Sequence, residues 1–156
     1  MTVRITATLL KYGEDSQPDF WGDVVRFAPG SLFTDTHQKV GLFVEHNTTR
    51  EAAGYAVDLW TEGDLVRGTF ETIDTPSGKL LESELLAGVR RDVSVGVYLD
   101  EYAAEPLDPA DAADPWAPLR MTVTAGDLAE TSACIRGRFP SAAIDEVTPV
   151  EGNVPA

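Results

Sequence analysis

Met1-Thr-Val-Arg-Ile-Thr-Ala-Thr-Leu-Leu10 opens the chain, and Val3, Ile5, Ala7 and Leu9 alternate there with Thr2, Arg4, Thr6 and Thr8. A period of two sends successive side chains to opposite faces, which is the pattern of a half-buried strand. The same reading spreads outward from this segment. Gly22-Asp-Val-Val-Arg-Phe-Ala28 is a second strand candidate, closed by the turn dipeptide Pro29-Gly30. Residues 39–45 form a short apolar run of strand length. Residues 53–61 and 65–73 read as a hairpin across Glu62-Gly63-Asp64. Residues 93–99, 119–124 and 130–136 complete a set of about seven or eight strands.

One segment breaks the period. From Thr75 to Val89 the spacing of Leu81, Leu85 and Val89 predicts a helix, with Thr75 as its cap and Pro76 in its first turn. Gly78 and Gly88 weaken it. A second short helix is expected over 141–147. Residues 100–118 hold six acids, no base and four prolines, and read as one long loop, either plainly solvated or a lid or docking segment. Together these predict a mainly β fold with a few helices (α+β), a closed or nearly closed barrel of about seven strands decorated by helices. The domain is expected to span 1–147, with 148–156 a flexible C-terminal tail.

Composition narrows the function. The 156 residues are 43% hydrophobic and 24% charged, so a core is affordable. Twelve Lys and Arg against 26 Asp and Glu leave a net charge of −14. Such a chain repels phosphates, which argues against nucleic acid as a partner. No run approaches a membrane span and the start is too interrupted for a signal peptide, so a soluble intracellular domain is expected. One cysteine and two histidines cannot build a structural zinc site, and no metal or cofactor is expected.

The residues suited to chemistry are few. Phosphate-binding loops and a Gly-x-Ser-x-Gly elbow are absent. His37 lies in the polar stretch 34–39, which reads as an exposed loop. His46 follows the apolar run 40–44, and a strand end is a rigid mount for a general base. Ser94 stands between two valines with Gly96 nearby; Ser132 and Cys134 share a later strand, where Cys134 reads as a buried small hydrophobe.

Four stretches in order carry a resemblance: residues 23–33, Val40-Gly-Leu-Phe-Val-Glu-His46, Arg91-Asp-Val-Ser-Val-Gly-Val97 and Asp127-Leu-Ala-Glu-Thr-Ser-Ala-Cys134. They are similar to the prohead (capsid maturation) serine proteases of tailed bacteriophages, which share a fold with the herpesvirus assemblin proteases. The resemblance implies a serine endopeptidase with Ser94 as nucleophile, His46 as base and Glu130 as its orienting acceptor. It further implies an oxyanion site at Gly137 and Arg138. The substrates it implies are scaffold and capsid segments, cleaved inside the immature phage procapsid in the host cytoplasm, with self-cleavage and self-association. The alternative is a structural head component that keeps the barrel without activity. Departures such as Phe139-Pro140-Ser141 and the small Ala129 and Ala133 touch strand packing more than chemistry.

Overall fold

A computed structural model describes residues 2–35 and 38–151. Nine strands and one α-helix follow in the order β1 (Thr2–Lys11), β2 (Val24–Phe27), β3 (Leu32–Phe33), β4 (Gly41–Val44), β5 (Gly54–Glu62), β6 (Leu65–Thr72), α1 (Pro76–Ala87), β7 (Asp92–Pro106), β8 (Leu119–Cys134) and β9 (Ala143–Val150). The alternation at the N-terminus holds: Val3, Ile5, Ala7 and Leu9 are all buried. They join Phe70, Leu42, Leu81, Val93, Val123 and Leu128 in one core.

β8 organises the sheet. Its 16 residues carry β2, β3 and β4 in succession along one edge, all parallel to it, and antiparallel β7 along the other. From β4 the sheet continues through β5, β6 and β1 to β9. The expected hairpin is present as β5–β6.

The expected barrel closure is not. The sheet is open, ending at β7 on one side and β9 on the other. These edges meet at one backbone hydrogen bond, from Ile144 N to Arg91 O at 2.8 Å. The cause lies in where the strands begin: β7 starts at Asp92 and β9 at Ala143, so only their first residues approach. Beyond Val97, β7 runs out along β8 as an exposed edge ribbon, with β2 and β3 on the opposite edge of β8.

That ribbon also corrects the long loop. Strand pairing reaches Pro106↔Leu119, so the irregular part shrinks to 107–118 with a single 3-10 turn at Pro109–Asp111. The two strands expected over 119–136 are one, with register shifts absorbing the interruption at Ala125–Leu128. Residues 143–150 are a strand rather than a helix, because β1 offers them a free edge. The boundary expected at 147 therefore falls inside β9.

Helix α1 sits where the apolar spacing places it, with Leu81 and Leu85 buried. Thr75 caps it, accepting from Gly78 N at 3.0 Å, and Gly88 ends it in the left-handed conformation. Val89 lies past that end and is exposed. A chain of hydrogen bonds ties helix to sheet: Thr72 Oγ1 accepts from Val3 N and donates to the buried Glu82 carboxylate.

Candidate active site

β8 mounts one carboxylate in the middle of the sheet. Glu130 lies between Gly41 on β4 and Gly96 on β7, its register partners. A side chain at 96 would collide with the Glu130 carboxylate, so the glycine creates the space the carboxylate fills. Glu130 is buried, yet its oxygens are satisfied. Oε1 pairs with Nδ1 of His46, and Oε2 accepts from Ser132 Oγ at 2.8 Å.

His46 reaches this carboxylate because the chain turns at the end of β4. Glu45 N still bonds Ala133 O, as a continuing strand would, and then Glu45 and His46 adopt φ of 50° and 58°. Residues with a Cβ avoid this region, at a cost of about 1–2 kcal/mol each. The turn sends the two neighbours different ways. Glu45 accepts from Arg90 Nη1 at 2.5 Å and Ile135 N at 2.8 Å, while His46 goes to Glu130. Arg90 also donates to Glu84, so it couples the end of α1 to the turn; these carboxylates hold its guanidinium above the ordinary arginine value, the Glu84 hydrogen bond foremost.

The pairing fixes the imidazole tautomer. A carboxylate only accepts, so the proton between them sits on Nδ1 and leaves Nε2 free as a base. The ring is 44% exposed, and its partner carboxylate 11%. His46 and Ser94 line one cavity of about 540 Å3, together with Gln17, Pro18, Arg136, Gly137 and Arg138. Ser94 is on β7 opposite Ser132, half-buried, and makes no side-chain hydrogen bond among the described residues. Catalytic serine–histidine contacts are often long without substrate and tighten when it binds.

The loop after β8 closes the cavity. Gly137 packs against the Val93 carbonyl, where any side chain would clash, and its N–H donates to Asp92 Oδ2 at 3.0 Å. That amide is already used. The Arg136 N–H faces the Cys134 thiol. The Arg138 N–H has no hydrogen-bond partner among the described residues.

The other candidates separate cleanly. Ser132 is fully buried with both hydrogen-bonding capacities used. Cys134 is buried, and desolvation, then the Glu45 and Asp92 charges, push its thiol up to about 12. A thiol so rarely ionised is a poor nucleophile. His37 lies outside the described residues. Gln17, Pro18 and Arg136 line the cavity without having been singled out in the sequence; they come from loops whose path only the fold reveals. No cluster of three or more metal-ligating side chains occurs among the described residues.

No protein-family model and no curated protein matches the sequence. Solved structures do match the fold. A crystal structure of the Kaposi's sarcoma-associated herpesvirus protease with a hexapeptide phosphonate inhibitor aligns at a TM-score of 0.51 and 11% identity, over 96% of this chain and 66% of that one. A room-temperature structure of that viral protease with an allosteric inhibitor aligns at 0.48 and 14% identity, over 94% and 75%. The chain thus spans about two thirds of the length of the first of these protease chains. What the likeness establishes is architecture: this chain has a herpesvirus-protease-like fold, mainly β with one helix, in an open sheet.

Proposed function

We propose that the chain is a serine endopeptidase with Ser94, His46 and Glu130 as its working residues. The observation that carries the reading is the His46 Nδ1–Glu130 pair with Ser94 on the wall of the same cavity. A serine hydroxyl is a weak nucleophile until a base takes its proton, and that base needs an acceptor to fix its tautomer. In this reading Ser94 Oγ attacks the scissile carbonyl while His46 Nε2 takes the hydroxyl proton. Glu130 stays ionised and stabilises the imidazolium. The carbonyl oxygen becomes an oxyanion, for which the unpartnered Arg138 N–H is the available donor; Gly137 contributes shape rather than its N–H. The imidazolium then protonates the leaving amine, and water repeats the sequence on the acyl-enzyme.

Following the sequence resemblance to the phage prohead proteases, the substrates are scaffold and capsid segments inside an immature phage head, in the host cytoplasm. Self-cleavage and self-association belong to the same proposal. A second reading rests on one observation: Ser94 and His46 share a cavity without a hydrogen bond between them, as an inactive head component would allow.

Incubating the protein with its scaffold and capsid substrates decides between them. The protease reading predicts cleavage that Ser94→Ala abolishes, with a kcat loss on the order of 10⁴–10⁶ and an unchanged fold. No cleavage by the wild type, or undiminished cleavage by Ser94→Ala, supports the structural role or another nucleophile.

A further inference from the structure

Ser132 stands two residues beyond Glu130 on β8 and is fully buried. Its hydroxyl touches both members of the pair. Oγ accepts the main-chain N–H of His46 at 3.0 Å and lies 2.8 Å from Glu130 Oε2. An amide N–H only donates, so it must take a lone pair of the hydroxyl, and the single hydroxyl proton points to the carboxylate. His46 Nδ1 occupies the other oxygen, Oε1. The carboxylate therefore has a separate donor on each oxygen. His46 in turn is held twice: its ring by Glu130, its backbone by Ser132.

The second hold answers a local need. His46 and Glu45 carry positive φ values that residues with side chains avoid, and the His46 N–H points away from a continuing strand ladder. A part-buried donor left unpaired there would favour a relaxed turn and carry the ring off its acceptor.

We infer that Ser132 is a positioning residue of the active site: its hydroxyl fixes the Glu130 carboxylate and the His46 main chain relative to each other. This rests on the protease reading. A serine of merely structural value would matter for folding and leave the ionisation of the base alone. This one also donates to the carboxylate that faces the imidazole. Charged groups around His46 are Glu130 on β8 and, in the cavity wall, Arg136 and Arg138.

The test measures the rate at which a serine-directed phosphonate labels Ser94, as a function of pH, in the wild type, Ser132→Ala and Ser132→Thr. Removing the hydroxyl strips one donor from the carboxylate, which then holds the imidazolium more tightly. In Ser132→Ala the rising limb of the pH profile should move up by roughly 0.5 pH unit. Its plateau rate should fall about tenfold, the equivalent of one hydrogen bond. Ser132→Thr, which keeps the hydroxyl, should restore the wild-type midpoint. If Ser132→Ala does not fold, Ser132→Cys takes its place with the same shift expected, since a thiol is a weak donor. A hydroxyl-free variant with the wild-type midpoint and plateau overturns the assignment while leaving the protease reading intact. Failure of the wild type to be labelled at any pH removes the protease reading, and the role of Ser132 with it.

Discussion

Glu45 and Glu130 show how one residue's backbone decides which carboxylate serves the base. Glu45 is adjacent to His46, and strand alternation alone would turn it away. The actual reason differs: both residues leave the strand in the left-handed region, and Glu45 is claimed by Arg90 and Ile135 N. Glu130, distant in sequence, is the partner of the imidazole. Glu130→Gln keeps the shape but offers an amide that can donate, which stabilises the wrong tautomer. We expect kcat to drop on the order of 10²–10³, somewhat less than for the aspartate of a Ser-His-Asp enzyme. Glu45→Gln keeps one acceptor for Arg90 and should stay within a few-fold of wild type. Assaying both variants on one peptide checks this, and a large loss confined to Glu45→Gln would reassign the acceptor. His46, Ser94 and Glu130 are legible in the sequence through the family resemblance of the stretches that hold them; strand pattern alone leaves His46 a surface histidine and Ser94 an outward strand residue. Ser132 was legible only as a strand serine, since a two-residue offset from Glu130 says nothing of a third element arriving through His46.

Among the elements, α1 and the β7–β8 ribbon separate what local pattern predicts from what it cannot. The helix was legible because its cap, first-turn proline and leucine spacing are all local. Gly78 counted against it by propensity, yet it is the residue that lets the first turn pack on the sheet. A side chain there would collide with the carbonyls of Ile73 and Ala53. In an exposed helix Gly→Ala stabilises by about 1 kcal/mol. Here Gly78→Ala should destabilise by about 1–3 kcal/mol, read as a lower chemical-denaturation midpoint at unchanged slope. An increase in stability would show that this contact relaxes freely. The ribbon was illegible for the opposite reason. Residues 100–105 are exposed, acidic and alanine-rich, so they carry no apolar alternation; β8 supplies their ladder regardless. β9 departs from the expected helix for a related cause: a segment with few apolar residues becomes a strand because β1 offers an edge.

On the scale of the whole molecule, an acidic chain holds itself together by pairing its few cations. Asp15 is the clearest knot, joining Arg26 on β2 and Arg120 on β8 through hydrogen bonds of 2.9–3.0 Å. The Arg120 hydrogen bond foremost, with Arg26 adding to it, holds its carboxyl below the ordinary aspartate range against the opposing effect of burial, which ranks second. A carboxyl depressed by folding contributes stability above its unfolded value of about 3.9, and that contribution fades as pH falls through the folded value. Asp15→Asn should therefore cost about 1 kcal/mol at pH 7, solvent screening included, and nothing once the wild-type carboxyl is protonated. Thermal melts of both proteins from pH 7 to pH 3 check this: the curves converge in acid, and a gap that persists there would place the effect elsewhere. The same fold brings Arg136 and Arg138 to the wall of the cavity that Ser94 and His46 share, in a chain otherwise dominated by carboxylates. Whether that cavity activates Ser94 is the central claim, and covalent labelling tests it most directly. Treated with a serine-directed phosphonate and mapped by mass spectrometry, the protein should carry one adduct, on Ser94, that vanishes in His46→Ala. An unmodified protein, or an adduct on another residue that survives loss of His46, would contradict the account.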